Sequence, residues 1–176
     1  MDKILMKEEL NRIKELMGLL TEEEQENQIV KIFSDGGGSD FADKYVGKKE
    51  KILVSDTLPN EPFKDMSYME TSDNIKNMIK SINDGEELPP IKVIQHPYDK
   101  SKYVVVDGNH RRYVYTKSDV DEIDVIIIPH KDVVLMKSKW GEDDDVIGPL
   151  SKLKDNTEII DRFFVKPDGS NKFKKN

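Results

Sequence analysis

The sequence predicts an α/β (α+β) protein, a small mixed sheet with flanking helices, preceded by an N-terminal amphipathic helical arm. Three observations predict it. Tyr103-Val104-Val105-Val106 and Val125-Ile126-Ile127-Ile128 are apolar runs rich in β-branched residues. They lack polar alternation, as strands covered on both faces do. Before these runs, Ile75, Met78, Ile79 and Ile82 recur at helical spacing. Finally, Ser34-Asp35-Gly36-Gly37-Gly38-Ser39-Asp40 breaks all periodicity and separates this pattern from the N-terminal residues.

The 176 residues give room for one ordinary domain with arms, and 36% hydrophobic content is enough for a core. The chain is also 36% charged, with a net charge of -7. Affinity for duplex DNA comes chiefly from neutralising phosphates, so this balance argues against tight duplex binding and makes a nuclease the least favoured class. There are no cysteines, which excludes thiol nucleophiles and thiolate zinc sites. No apolar run reaches the length of a membrane span and the N-terminus lacks a signal-peptide pattern, so a cytoplasmic location is expected.

Along the chain, Met6, Leu10, Ile13, Met17 and Leu20 form a seam at alternating steps of four and three. This helix either docks on its own domain or mediates self-association or contact with a protein partner. Thr21-Glu22-Glu23-Glu24 has capping-box form and predicts a second helix running toward Phe33. The triple glycine lacks the Lys-Ser/Thr ending of a phosphate-binding P-loop and reads as a linker. The expected divisions are therefore an arm and linker over 1–38, a domain over 39–135, and a C-terminal extension with a basic tail over 136–176.

Within the domain, Ile52-Leu53-Val54 is a short strand candidate. Thr71-Ser72-Asp73 offers N-caps for the helix bearing Ile75, and Gly85 stops it. Leu88-Pro89-Pro90 stiffens the approach to a strand over Ile91–Ile94, and a short helix should follow Val106. Val133-Val134-Leu135-Met136 reads as an edge strand or a helix start, and Ile159–Val165 as a final strand. Glu142-Asp143-Asp144-Asp145 lacks the spaced ligands of a calcium loop and reads as solvated surface. No metal ligands are assigned.

The chemistry concentrates in Asp107-Gly108-Asn109-His110-Arg111-Arg112, where a buried strand gives way to a helix. Gly108 allows a sharp turn and close approach to a ligand. The amides that follow point out of a helix start, where the dipole favours an anion. Arg111 and Arg112 bring planar donors suited to phosphate oxygens. Gly108, Asn109, His110, Arg111 and Arg112 are thus candidate nucleotide-binding residues. Asp107 and His110 are candidate catalytic residues. Asp107 reads as a general base or metal-coordinating carboxylate, or as a brace of the turn. His110 reads as a ligand contact or as a packed, hydrogen-bonded histidine.

Ile75–Ile82, Leu88-Pro89-Pro90-Ile91-Lys92-Val93 and Tyr103–Arg111 together resemble the ParB/sulfiredoxin superfamily, over roughly the middle half of the chain. The resemblance implies that family's fold, and a nucleotide or phosphorylated small molecule as ligand. A nucleoside triphosphate with Mg2+ and its hydrolysis or transfer are the activity it implies, making the protein a candidate NTPase or phosphotransferase. Sulfiredoxins carry a cysteine between the glycine and the histidine, and Asn109 occupies that place here, so thiol chemistry is excluded. Chromosome-partitioning ParB proteins have a Gly-Glu-Arg-Arg turn, which Asn109-His110 interrupts. Free-serine kinases and many phage proteins carry the Asp-Gly-x-His-Arg pattern. Asn11–Gly18 is also similar to openings common in phage proteins. The competing class is a non-catalytic interaction protein, phage- or mobile-element-encoded, that keeps the fold. Glu70 reads as solvated surface, Trp140 as a covering residue on the core, and His96 and His130 are assigned no role.

Overall fold

The computed structural model describes residues 28–34, 39–60, 71–137 and 146–170. The N-terminal seam, Glu70, Trp140 and the Glu142–Asp145 run lie outside these residues.

Five strands form the main sheet: β2 (Lys49–Leu53), β3 (Thr57–Pro59), β4 (Ile91–Gln95), β5 (Tyr103–Asp107) and β6 (Glu122–Ile127). Their order is β2-β6-β4-β5-β3. β3 runs parallel to β5 and β4 parallel to β6, whereas β4 and β5 are antiparallel, as are β2 and β6. A smaller sheet joins β1 (Val30–Phe33), β7 (Val133–Met136) and β8 (Val146–Pro149) in the order β1-β7-β8. The helices are α1 (Ser39–Ala42), α2 (Asp73–Asn83), α3 (Asn109–Thr116), α4 (Leu150–Leu153) and α5 (Thr157–Phe163).

The connection between the two edge strands shows that the main sheet is curled. β2 and β3 are joined only by a 3-10 turn, Val54–Asp56. Four flat inter-strand spacings would separate the edges by about 19 Å. Four residue steps reach at most roughly 14 Å even when extended. The sheet must bend to bring its edges together, and it does so around alternating side chains. Ile91, Val93, Val105, Ile123 and Val125 share one cluster with Val54. Ile94, Val104, Val106, Ile126 and Ile128 share the other with Val30, Ile32, Val133, Leu135, Ile160 and Phe163. Both faces are covered, as the unalternating apolar runs predict.

α2 begins after Ser72, ends before Asp84, and is followed by Gly85 at φ 81°, matching the expected cap and stop. It packs Ile75 against Val114 of α3.

Four expectations are corrected. The helix expected to run toward Phe33 is a strand at its end. Val30, Ile32 and Phe33 are buried, and β1 pairs in parallel register with β7, Val30 opposite Val133. This strand lies on the arm side of the boundary expected near Ser39. Ile159–Val165, expected as a strand, is mostly helix. Asn156 Oδ1 accepts from the Ile159 amide at 3.2 Å, capping α5, and Ile160 and Phe163 bury one side of it. β6 starts at Glu122, earlier than the apolar run, because its first half is half-buried and alternates. Of the two readings of Val133–Met136, the strand is correct, but it is central in its sheet, between β1 and β8.

Candidate functional site

Asp107 ends β5, Gly108 is the N-cap of α3, and Asn109, His110, Arg111 and Arg112 form its first turn. The strand-to-helix turn expected from sequence is therefore present. Gly108 has φ 97°, a left-handed conformation that disfavours a side chain. A Cβ there would meet Ile91 Cγ2 at 2.8 Å and Arg111 Nη2 at 2.9 Å. The glycine is required by both its dihedral and its packing.

Gly108 offers no side chain to cap the helix, and the first bond of the α3 ladder is from the Arg112 amide to Gly108 O, at 2.8 Å. The amides of residues 109–111 precede that ladder and carry the positive end of the helix dipole. Asn109 Oδ1 is buried with no hydrogen-bond partner among the described residues. Asn60 Oδ1 is another such atom, on the residue following β3, the strand parallel to β5.

The arginines take up positions that sequence alone left open. Arg111 Nη2 donates to Asp107 Oδ2 at 2.8 Å, and its Nη1 donates to Pro89 O and Pro90 O, each at 2.9 Å. Arg112 turns away, with Nε donating to Thr57 Oγ1 and Nη2 to Thr57 O, both at 2.9 Å. Burial pushes the Arg112 guanidinium below its ordinary range. The two guanidiniums therefore do not converge on one anion. Arg111 braces the turn against the Pro89-Pro90 segment, and Arg112 ties α3 to β3. His110 is exposed on the first turn.

Lys92 is a member of this group that sequence reading missed. It stands opposite Asp107 in the β4–β5 register and is only 7% exposed. Its Nζ donates to Asp43 O. Desolvation lowers its proton affinity, opposed by the charges of Asp107 and Asp43. The signal was available, since a lysine interrupts the buried run Ile91–Ile94.

Two cavities lined by described residues lie along α3 and the start of β6, away from Asp107–His110. Among the described residues, no three His, Cys, Asp or Glu side chains are grouped to hold a metal ion. None of their helices is long and apolar enough to cross a membrane. His96 is buried and His130 half-buried, bonded to Val165 O and Gln95 O respectively, which gives both a structural role.

Residues 42–142, more than half the chain, match the family described as the ParB N-terminal domain. The chain belongs to the ParB N-terminal domain family. Similar solved structures include a conserved hypothetical protein from Pyrococcus furiosus, 19% identical, covering 49% of this chain and 34% of that one, with a TM-score of 0.39. A C-terminally truncated chromosome-partitioning protein ParB from Caulobacter crescentus, complexed with CTP-gamma-S, is 16% identical. It covers 47% of this chain and 45% of its own, with a TM-score of 0.38. Sulfiredoxin from Arabidopsis thaliana is 18% identical over 47% of this chain and 85% of its own, with a TM-score of 0.35. The match thus spans less than half the length of the first two. Comparison with curated proteins gave no match. In this ParB-type domain the turn at 107–112 is a braced strand-to-helix junction.

Proposed function

We propose that the 107–112 turn of this ParB-like domain binds a nucleotide or another phosphate-bearing small molecule. The observation that carries this reading is the start of α3 behind a left-handed glycine, which has no side chain with which to cap it. Its leading amides lie before the helical ladder, where a phosphate oxygen is well placed to accept from them. The buried Asn109 Oδ1 needs a donor, which a ribose or amine group of a nucleotide supplies and bare phosphate does not. Lys92 adds a buried positive charge next to Asp107.

In this reading Gly108, Asn109 and His110 face the ligand. Arg111 and Arg112 act at one remove, by fixing the turn and the helix. The ion pair with Arg111 favours the bracing reading of Asp107 over the catalytic one. In this reading the proton transfer of hydrolysis or phosphoryl transfer falls to His110, the exposed titratable group of the turn. Any Mg2+ would be held chiefly by the ligand's phosphates, since one Asp107 oxygen already serves Arg111. A thermal-shift screen of nucleoside mono-, di- and triphosphates, with and without magnesium, tests the proposal. A dose-dependent rise in melting temperature that Gly108→Val abolishes supports it. The interaction-protein reading draws on the same arginines, because a fold kept for its shape also needs them as braces. It gains if no nucleotide stabilises the protein.

A further inference from the structure

We propose that Arg112 anchors a second ligand site, separate from the 107–112 turn, which takes a small monoanionic compound with an apolar body. A cavity of about 540 Å3 opens beside the C-terminal half of α3, between it, the Val54–Asp56 turn and the segment leading to β6. That volume lies within the range of small-molecule sites. Leu53, Val54, Tyr115 and Val120 give it apolar walls, and Arg112 and Asp121 also line it.

The guanidinium is held in a fixed plane. Nε and Nη2 both bond Thr57, and the Thr57 hydroxyl in turn donates to Val54 O at 2.6 Å. Nη1 keeps its two N–H donors without an acceptor among the described residues. No described carboxylate lies within ion-pair distance of Arg112, although Asp121 lines the same cavity. Arg112 is half-buried and no described carboxylate neutralises it, so an anionic ligand in a cavity of this size gains a charge-assisted bond to a fixed guanidinium. Asp121 is exposed at the rim, so its charge opposes a second negative charge on the ligand. The chemistry that fits is one carboxylate or phosphoester head on Arg112 with an aromatic or aliphatic body against the walls.

The test is a titration of the full-length protein with benzoate and with phenyl phosphate, followed by 1H–15N NMR. Saturable shifts are expected at the Arg112 Nε–H, at Val54–Thr57 and at Ser118–Asp121. Benzoate should bind at least as well as phenyl phosphate, whose second charge faces Asp121. Arg112→Gln should weaken binding at least tenfold. Thr116→Trp, at an exposed position beside the cavity, should block it while keeping the Arg112–Thr57 bonds, and it decides the matter if Arg112→Gln fails to fold. Shifts confined to residues 109–111 would belong to the turn and would overturn this assignment. So would equal binding in the wild type and in folded Arg112→Gln or Thr116→Trp.

Discussion

The Arg111 guanidinium meets the Asp107 carboxylate at 2.8 Å across the Gly108 bend, while its other terminal nitrogen holds the carbonyls of Pro89 and Pro90. Three separate pieces of chain are fastened by one side chain. Arg111→Ala should therefore lower stability by about 1.5–3 kcal/mol, the range for hydrogen bonds to a charged group. Arg111→Lys should recover little, since an ammonium cannot span the same fork of acceptors. Urea denaturation of the three proteins checks both statements.

Gly108→Ala should be as damaging as the loss of Arg111. The methyl would sit 2.8 Å from Ile91 Cγ2 and displace the Arg111 guanidinium, on a backbone at φ 97°. The strained dihedral alone costs about 1–3 kcal/mol. Denaturation midpoints measure the loss, and ligand affinity should fall with them because the turn itself moves.

The turn, α2 with its cap and stop, and the two-faced central strands were legible because each writes a local signal: glycine after a β-branched run, Ser72 before a helical period, and apolar residues without alternation. The roles of the arginines were not legible. Their partners lie 22 and 55 residues away in sequence, at Pro89 and Thr57, so no local pattern separates a brace from a ligand contact. β1 and α5 were misread for another reason. Val30–Phe33 and Ile159–Val165 are short apolar runs, in which helical and strand periods cannot be told apart without knowing what covers them. Lys92 gives only a weak signal, because its neighbours Ile91, Val93 and Ile94 read as core.

Stability should fall as the pH drops below the ordinary histidine range, through His96. Its Nδ1 accepts from the Tyr98 amide and its Nε2 donates to Val165 O, which fixes a neutral ring that is 2% exposed. Burial lowers its proton affinity in the folded state. The unfolded chain therefore binds the proton more tightly, and the contribution present above about pH 6.5 is lost progressively below it. His96→Asn should flatten this part of the stability–pH profile between pH 8 and 5, by about the slope of one proton. An unchanged slope would show that another group controls it.

We propose that the folded unit begins before Val30. Deleting residues 1–38 removes β1 and exposes the Val133–Met136 strand that it pairs with. Loss of the cooperative unfolding transition is expected for that truncation but not for deletion of residues 1–27. Circular dichroism melts of the two truncated proteins compare them directly.

The net charge of -7 gives little attraction for duplex DNA. Gel shifts at physiological salt should show no discrete complex, and submicromolar binding that weakens steeply with added salt would contradict this.

We propose that the start of α3 at Gly108 holds a phosphate-bearing ligand. Isothermal titration calorimetry of the full-length protein against nucleotides and phosphorylated small molecules, with magnesium present, tests it most directly. Saturable binding of at least one of them is predicted, weakened at least tenfold by Gly108→Val in a variant shown to be folded, and little changed by Thr116→Trp. The absence of binding heat with every compound, or binding that Gly108→Val leaves untouched, would show that the turn is not a phosphate site.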